Sequence, residues 1–376
     1  MTNEATRPLA GLKVVDFSQG VAGPHCGLLF VEAGADVVKI EPPGGDWGRS
    51  VGKTFGRHSA HFVAYNRGKR SVVLDLKTEP GRAAAKRLAL AADVVIESFR
   101  PDVMGRLGLG AETLRAEKPA LVYVSVNGFG DEGPLKDAPS TDGRIQAFTG
   151  LIALNKGDDG RPHKINLILV DIVTGLYAYQ ASLNALFARL RGAPGRHLKI
   201  SMLQSAAAFQ APKLVQHATE GDAPEALYYP AGVFPTQDGA INVLVMKEKE
   251  WHEVCARFGW ADLHADARFK TKESRVAHEA ALKALLVPRF AARPTAYWEE
   301  HLTALDIMHA PVFGYGEFMA QPQTQASKAV SWVEHEAIGR IPHATVPGAP
   351  PVDPSGPLAH APTIGEHTEE VLREWG

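Results

Sequence analysis

Cysteine is nearly absent from this chain of 376 residues, which contains only Cys26 and Cys255. Two cysteines without CxxC spacing cannot form a disulfide framework, so we expect both to be buried free thiols. No segment approaches the roughly 20 consecutive apolar residues of a membrane-spanning helix. The amino terminus has an acidic residue where a signal peptide is basic, and no long apolar stretch follows it. These absences predict a cytoplasmic protein.

The chain also lacks an excess of charge of either sign, since its formal net charge is -2. Such a balance provides no electrostatic attraction to nucleic acid or to anionic lipid headgroups. The composition is that of an ordinary globular enzyme, with 45% hydrophobic and 22% charged residues. The length exceeds that of one typical core and predicts two or three structural units.

The first two hundred residues alternate short β-branched runs with longer helical patterns, which predicts an α/β domain with a parallel sheet. A helix is expected between the first two strands, with Pro24 as its first residue and Gly34 just past its end. The five candidate strands are near-continuously apolar and are therefore expected to be central. They are Leu12–Phe17, Asp36–Glu41, Ser71–Leu76, Asp93–Glu97 and Leu121–Val126.

A long amphipathic helix is predicted to begin at Asp171, because apolar residues recur after it at spacings of three and four, and to end before Gly192. A polar passage, Glu220–Pro224, then predicts a domain boundary. Two short strands and three helical patterns follow, and they predict a smaller α+β domain over residues 223–325. The strands are expected at Gly232–Thr236 and Ile241–Met246. We therefore assign residues 1–222 to a large domain and 326–376 to a C-terminal segment, whose final helix starts near Gly365.

Two short motifs resemble catalytic signatures but lie in unsuitable contexts. Gly48–Gly52 matches the G-x-S-x-G elbow of serine hydrolases around Ser50, yet no strand directly precedes the serine. A hydrolase acting through Ser50 stays open as a minor alternative. His252–Glu253 begins like a zinc protease motif, but Ala256 stands where the second histidine is required, so no metal site is predicted.

Six blocks, in order, resemble the signature blocks of the class III coenzyme A (CoA) transferases, the CaiB/BaiF or formyl-CoA transferase-like family. The resemblance covers almost the whole chain and implies a Rossmann-like large domain, a CoA-transferase activity and no cofactor beyond CoA itself. The blocks are GLKVVDFSQGVAGPHCGLLFVEAGADVVKIEPPGGD, NRGKRSVVLDLKTEPGR, ADVVIESFRPDVMGRLGLG, VSVNGFGDEGP, DARFKTKESR and APTIGEHTEEVLREWG.

The resemblance implies that Asp171 is the nucleophile, because the family's catalytic aspartate starts the helix after a variable loop. Its carboxylate would attack an acyl-CoA thioester and then carry CoA as an aspartyl-CoA thioester. A helix N-terminus favours the ionised carboxylate. Without the resemblance, Asp171 would be interpreted as a helix cap. Asp142 falls at a second acidic position beside the reacting carboxylates and is the other candidate catalytic residue.

The resemblance also implies a set of CoA contacts spread over the large domain. The turn after the first strand would line the CoA chain, apolar groups would hold adenine or pantetheine, and the cations would bind phosphate. Ser98 replaces an asparagine that is common in the family. The predicted contacts are Gln19, Gly20, Ala22, Leu74, Lys77, Ser98, Phe99, Val103, Arg106 and Met202.

Departures from the formyl-CoA transferase pattern leave the substrate open. Besides Ser98, Pro43 stands where a basic residue is expected, and a tetraglycine loop is missing near Tyr228–Gly232. Succinyl-CoA and other short or dicarboxylic acyl-CoAs are therefore the expected donors, with a small carboxylic acid as acceptor. The family also implies an interlocked homodimer.

Two alternatives remain. An α-methylacyl-CoA racemase of the same fold would use a His and Asp pair, but Thr141 occupies the histidine position. A non-catalytic CoA-binding protein would retain the CoA site and use Asp171 as a cap alone.

Overall fold

The computed structural model describes residues 7–157, 159–222 and 226–376; residues 1–6 and part of the predicted boundary at Glu220–Pro224 lie outside them. The chain divides into two compact units, one with the residues up to Ala211 together with Gln325–Gly376, the other with Pro212–Thr324. The elements up to residue 220 are β1 (Lys13–Asp16), α1 (Ala22–Glu32), β2 (Asp36–Glu41), β3 (Thr54–Phe55), β4 (His58–Ser59), α2 (Ala60–Asn66), β5 (Arg70–Val73), α3 (Glu79–Ala91), β6 (Val94–Glu97), α4 (Val103–Arg106), α5 (Ala111–Glu117), β7 (Val122–Asn127), α6 (Asp142–Phe148), α7 (Leu151–Leu154), α8 (Leu169–Leu190), β8 (His197–Ser201), α9 (Met202–Phe209) and α10 (Ala211–Glu220).

Six of these strands form a parallel sheet in the order β5-β2-β1-β6-β7-β8. Successive residues point to opposite faces, so Val15 and Val38 pack with residues of α3 and α5, whereas Val14 and Val37 pack with residues of α1 and α8. The predicted α/β fold with a parallel sheet is confirmed. The strand order reverses between β1 and β6, and the crevice at the carboxyl ends of such strands is the usual ligand site.

The five predicted strands are present, Asp36–Glu41 with its predicted ends and the other four with shifted ends, and β8 was missed. This strand lies at the sheet edge, and its alternating burial, with Lys199 exposed, lacks the continuous apolar character of the central strands. The predicted start of α1 at Pro24 was wrong, since the helix begins at Ala22. Proline is tolerated there because the first N–H groups of a helix have no intrahelical acceptor.

The predicted start of the long helix at Asp171 was also wrong, because α8 begins at Leu169. The flanking residue Ile168 provides no side-chain cap. Instead, a carboxylate oxygen of Asp142 accepts the backbone N–H of Val170 at 2.7 Å. One N–H of the first turn is thereby satisfied from outside the helix, and Asp171 is not the cap.

The smaller unit is built around an antiparallel sheet of three strands in the order β11-β10-β9. The predicted pair of strands is confirmed, whereas β11 and several short helices were missed. Its elements are β9 (Ala231–Pro235), β10 (Ala240–Leu244), α11 (Glu248–Phe258), α12 (Ala261–Ala265), α13 (Lys272–Ala277), α14 (Glu279–Ala291), α15 (Thr295–Ala304), β11 (Met308–Pro311), α16 (Tyr315–Ala320) and α17 (Pro322–Ala326), whose end lies past the unit boundary.

The C-terminal residues add a hairpin and a helix to the larger unit: β12 (Val330–His335), β13 (Gly339–Ala344) and α18 (Thr368–Trp375). The helix starts after Gly365, which occupies a turn with φ of +71°. Val371 and Trp375 join the core cluster on the α3 face of the sheet. Arg70 of β5 pairs with two glutamates of α18, at 3.2 and 2.7 Å.

The predicted free thiols are confirmed, since Cys26 and Cys255 are both buried and unpaired. Burial raises the pKa of the Cys255 thiol to about 12. Among the helices described, none is long and apolar enough to cross a membrane.

Candidate active site

A cavity of about 600 Å³ lies at the carboxyl ends of β1, β6 and β7, beside the first turns of α6 and α8. This is the crevice at which the strand order reverses. The cavity brings together seven of the residues singled out from the sequence, including both candidate catalytic aspartates. They are Gln19, Ala22, Ser98, Phe99, Asp142, Asp171 and Met202.

The turn that follows β1 is held by a buried ion pair. Gly20 has a φ of +82°, and a Cβ there would lie 2.1 Å from the Trp47 ring, so only glycine fits. Its backbone N–H donates to Asp46 at 3.1 Å. The other carboxylate oxygen of Asp46 lies 2.8 Å from the Lys39 ammonium, and both side chains are fully buried. The backbone of this predicted CoA contact is therefore fixed before any ligand binds.

The ends of β1 and β6 are joined directly. The N–H of Gln19 donates to the Ser98 hydroxyl at 3.1 Å, and the N–H of Phe99 donates to the Glu97 carboxylate at 2.8 Å. Burial raises the pKa of Glu97 to about 7. Ser98, which departs from the family pattern, thus positions the first turn through its hydroxyl oxygen.

Asp171 is the third residue of α8 and is partly buried beside the cavity. Within the described residues its carboxylate has no hydrogen-bond or ion-pair partner. Burial raises its pKa to about 7, and the negative charge of nearby Asp142 acts in the same direction. Desolvation and like charge thus act against the ionised form, which a helix N-terminus ordinarily favours.

Asp142, the first residue of α6, is buried and fully engaged. Besides the Val170 N–H, it accepts a hydrogen bond of 2.6 Å from the side-chain amide of Gln146. That amide also donates to the backbone carbonyl oxygens of Ile165 and Leu167. The carboxylate thus connects α6, the segment before α8 and the first turn of α8.

Tyr65, His25 and His61 lie near Asp171 and the cavity. The Tyr65 ring packs edge-on against His25 and His61, with centroids 5.7 and 5.5 Å apart. Burial lowers the pKa of both imidazoles. Burial, together with the negative charge of Asp171, raises the pKa of Tyr65 to about 12. These residues were missed because neither aromatic nor histidine spacing connects them to Asp171 in the sequence.

A smaller cavity of about 210 Å³ contains two more predicted contacts, Leu74 and Lys77. Gln19 and Phe99 line both cavities, so the two spaces adjoin there. Val103 and Arg106 lie on α4 and are not among the residues that line either cavity. Most of the predicted site residues thus lie at the main cavity, whereas the two predicted contacts on α4 line neither cavity.

Residues 9–368 match the sequence model of CoA-transferase family III. The chain therefore belongs to this family and is a class III CoA-transferase. It is 33% identical to succinate–glutarate CoA-transferase of Agrobacterium fabrum, over 98% of this chain and 95% of that protein. It is 34% identical to acetyl-CoA:oxalate CoA-transferase of Acetobacter aceti, over 85% of this chain and 84% of that protein. A CaiB/BaiF family protein from Brucella suis superposes with a TM-score of 0.88 at 30% identity, covering 99% of this chain and 100% of that one.

We expect Asp171→Asn to stabilise the protein increasingly as the pH rises from about 4 to about 7. The unfolded chain releases this proton near 3.8, the ordinary pKa of an aspartate, whereas the folded protein keeps it until about pH 7. Wild-type stability therefore declines over this window relative to the variant, by at most about 1.4 kcal/mol per pH unit. Urea denaturation of both proteins from pH 4 to 8 measures the difference. A difference that does not grow would contradict the raised pKa.

Proposed function

We propose that this transferase moves CoA from succinyl-CoA, or another short or dicarboxylic acyl-CoA, to a carboxylic acid through covalent intermediates on Asp171. The observation that carries the proposal is the carboxylate of Asp171. It lines the main cavity together with predicted CoA contacts and has no partner among the described residues. Unlike a capping or ion-paired carboxylate, it is available to react.

The reaction begins when a carboxylate oxygen of Asp171 attacks the thioester carbonyl carbon, which expels the CoA thiolate and leaves a mixed anhydride. The thiolate attacks the aspartyl carbonyl carbon, which releases the donor acid as a carboxylate and forms an aspartyl-CoA thioester. The acceptor carboxylate attacks this thioester, expels the CoA thiolate again and forms a second anhydride. The thiolate then attacks the acceptor's acyl carbon. Acceptor acyl-CoA leaves, Asp171 is regenerated as a carboxylate, and no net proton is consumed.

The electrostatic environment of Asp171 suits a nucleophile at neutral pH. With a pKa of about 7, about half of the groups are ionised at that pH, and the ionised form is more basic than an ordinary aspartate. No ion pair has to be broken before attack. The neutral side chains of Tyr65 and His25 add no competing counter-ion.

The proposed CoA site extends from the main cavity into the smaller one. Gln19 and Phe99 line both, so the pantetheine arm would pass between them. The apolar surface of Leu74 would contact the adenine, and Lys77 would bind a phosphate. Arg106, exposed on α4, is a second candidate phosphate partner, while Gly20, Ala22, Val103 and Met202 would provide backbone or apolar contact.

Incubation with succinyl-CoA and hydroxylamine is expected to convert Asp171 into a hydroxamate, because both the anhydride and the thioester react with that amine. Peptide mass spectrometry would locate the modification. Asp171→Asn should give no adduct and no CoA transfer while still binding CoA. An adduct on another carboxyl group, or transfer by the Asn variant, would overturn the assignment.

We assign Asp142 a positioning and electrostatic role. Its two hydrogen bonds hold Val170 and Gln146, and its charge contributes to the raised pKa of Asp171. The neighbouring Thr141 caps α6, its hydroxyl accepting the Arg144 N–H at 3.4 Å. The position that carries the base in a racemase therefore has no group able to remove an α-proton, which disfavours that alternative.

Replacement of Asp142 by Asn is expected to move the acidic limb of the pH profile of kcat/KM to lower pH. The variant keeps an oxygen for the Val170 N–H but removes one of the two causes that raise the pKa of Asp171. Succinyl-CoA turnover from pH 5 to 9 measures the limb. Thr141→Ser is the matched control, since it changes no charge. A limb at the same pH in all three proteins would contradict the role of the Asp142 charge.

We also propose an interlocked homodimer. The support in this chain is apolar surface without a partner among the described residues: Phe187 and Leu190 of α8 are 61% and 84% exposed. No residue of α10 is buried, although Leu214 and Val215 lie on it. Surfaces of this kind mark protein–protein contacts in soluble enzymes. The membership of the chain in CoA-transferase family III is the other ground for this proposal.

Light scattering should give twice the mass of the chain at every dilution, because interlocked chains cannot separate while folded. Dissociation is expected only in denaturant, together with loss of the circular dichroism signal. A dimer that separates on dilution into folded chains would exclude interlocking. An active monomer would overturn the dimer proposal altogether.

A further inference from the structure

Lys164 places a positive charge at the main cavity. It lies between α7 and α8 and lines the cavity with Asp142 and Asp171. Among the described residues that line this cavity, it is the only lysine or arginine. Its ammonium makes no ion pair with any described residue. No ion pair within the described residues therefore explains the position of this ammonium group at the cavity.

The stem of Lys164 rests against the backbone of α6. A Cβ added at Gly143 would lie 3.2 Å from Cε of Lys164 and 3.5 Å from its Nζ. The ammonium is therefore beside the residue that follows Asp142. The absence of a side chain at Gly143 leaves room for the lysine to approach the cavity wall.

The backbone next to Lys164 is fixed although its side chain is exposed. Gln146 is fully buried, and its side-chain oxygen accepts the N–H of Ile165 at 3.2 Å. The amide nitrogen of Gln146 donates to the carbonyl oxygens of Ile165 and Leu167 at 3.2 and 3.1 Å. A long side chain on a fixed backbone at a cavity can reach a ligand with little rearrangement of the chain.

We propose that Lys164 binds the distal carboxylate of a dicarboxylic acid or dicarboxylic acyl group, while the other carboxyl carbon meets Asp171. This inference rests on the proposed function. Asp142 and, before it is acylated, Asp171 repel the distal carboxylate, so a dicarboxylate needs a compensating cation, and Lys164 supplies it. The dicarboxylic acids in the names of the Agrobacterium fabrum and Acetobacter aceti relatives agree with this chemistry.

The test compares acids of equal length that differ only in the distal carboxylate. With succinyl-CoA as donor, kcat/KM is measured for glutarate and for valerate in the wild type, Lys164→Ala and Lys164→Arg. Lys164→Ala should lower kcat/KM for glutarate at least tenfold and change that for valerate less than about threefold, because a hydrogen bond to a charged group is lost. Lys164→Arg should retain most of the preference. Lys156→Ala, an exposed lysine of the same segment that does not line the cavity, should match the wild type.

Trapping with two acyl-CoA donors distinguishes whether Lys164 binds a carboxylate of the acyl group or a phosphate of CoA. Hydroxylamine trapping of Asp171 is followed with succinyl-CoA and with butyryl-CoA, which carry the same CoA. A loss in Lys164→Ala that is confined to succinyl-CoA supports the inference; an equal loss with both donors overturns it and assigns the lysine to CoA. Absence of any Asp171 adduct in the wild type overturns the proposed function and this inference with it. Intact trapping with an unchanged ratio of glutarate to valerate rates overturns the inference alone.

Discussion

The buried carboxylate of Asp142 is the constraint on which the site depends. It is the first residue of α6, yet its two short hydrogen bonds go to the N–H of Val170 and to the side chain of Gln146. The first fixes the start of α8, and the second fixes the segment that precedes α8. Because a buried carboxylate that loses a partner is costly, both contacts are strongly maintained. The position of Asp171 follows from them.

The same carboxylate affects the chemistry of Asp171 as well as its position. An aspartate in the first turn of a helix is ordinarily favoured as an anion. Here burial and the neighbouring negative charge raise its pKa to about 7 instead. The folded protein thus bears a poorly solvated carboxylate that has no partner among the described residues. Such a group lowers stability at neutral pH, which is a common property of residues that react.

The sequence predicted secondary structure best where burial alone determines the residue pattern. Central strands such as Asp36–Glu41 are apolar because both faces of the sheet are covered, and this strand was predicted with its observed ends. The edge strand β8 obeys a weaker pattern and was missed. The start of α8 was misplaced because its cap comes from Asp142, 28 residues away in the chain. A local pattern does not contain such a contact.

The residues of the candidate site also fall into two groups, those that the sequence revealed and those that it did not. Gln19 and Ser98 lie in blocks that resemble those of a known family, and Asp171 was found by its place at the start of a helix after a variable loop. The structure gathers all three in one cavity. Tyr65 and Lys164 were missed because they reach this region through folding, from segments without a motif. The exposed side chain of Lys164 can vary without disturbing the buried contacts of the site. The Lys39–Asp46 pair and the Asp142 contacts are internal, whereas Lys164 has no internal partner among the described residues.

Substrate specificity and covalent chemistry depend on different residues of the proposed site. Exchange of Lys164 would remove a charge from the cavity but would leave the hydrogen bonds that position Asp171 intact, since these involve the backbone of Val170 and the side chain of Gln146. The position and the raised pKa of Asp171 depend on the buried contacts of Asp142, whereas the proposed selection of the distal carboxylate depends on the exposed side chain of Lys164. Relatives could therefore act on different acids with the same covalent chemistry, by changing residues of the segment before α8 and not the helix itself.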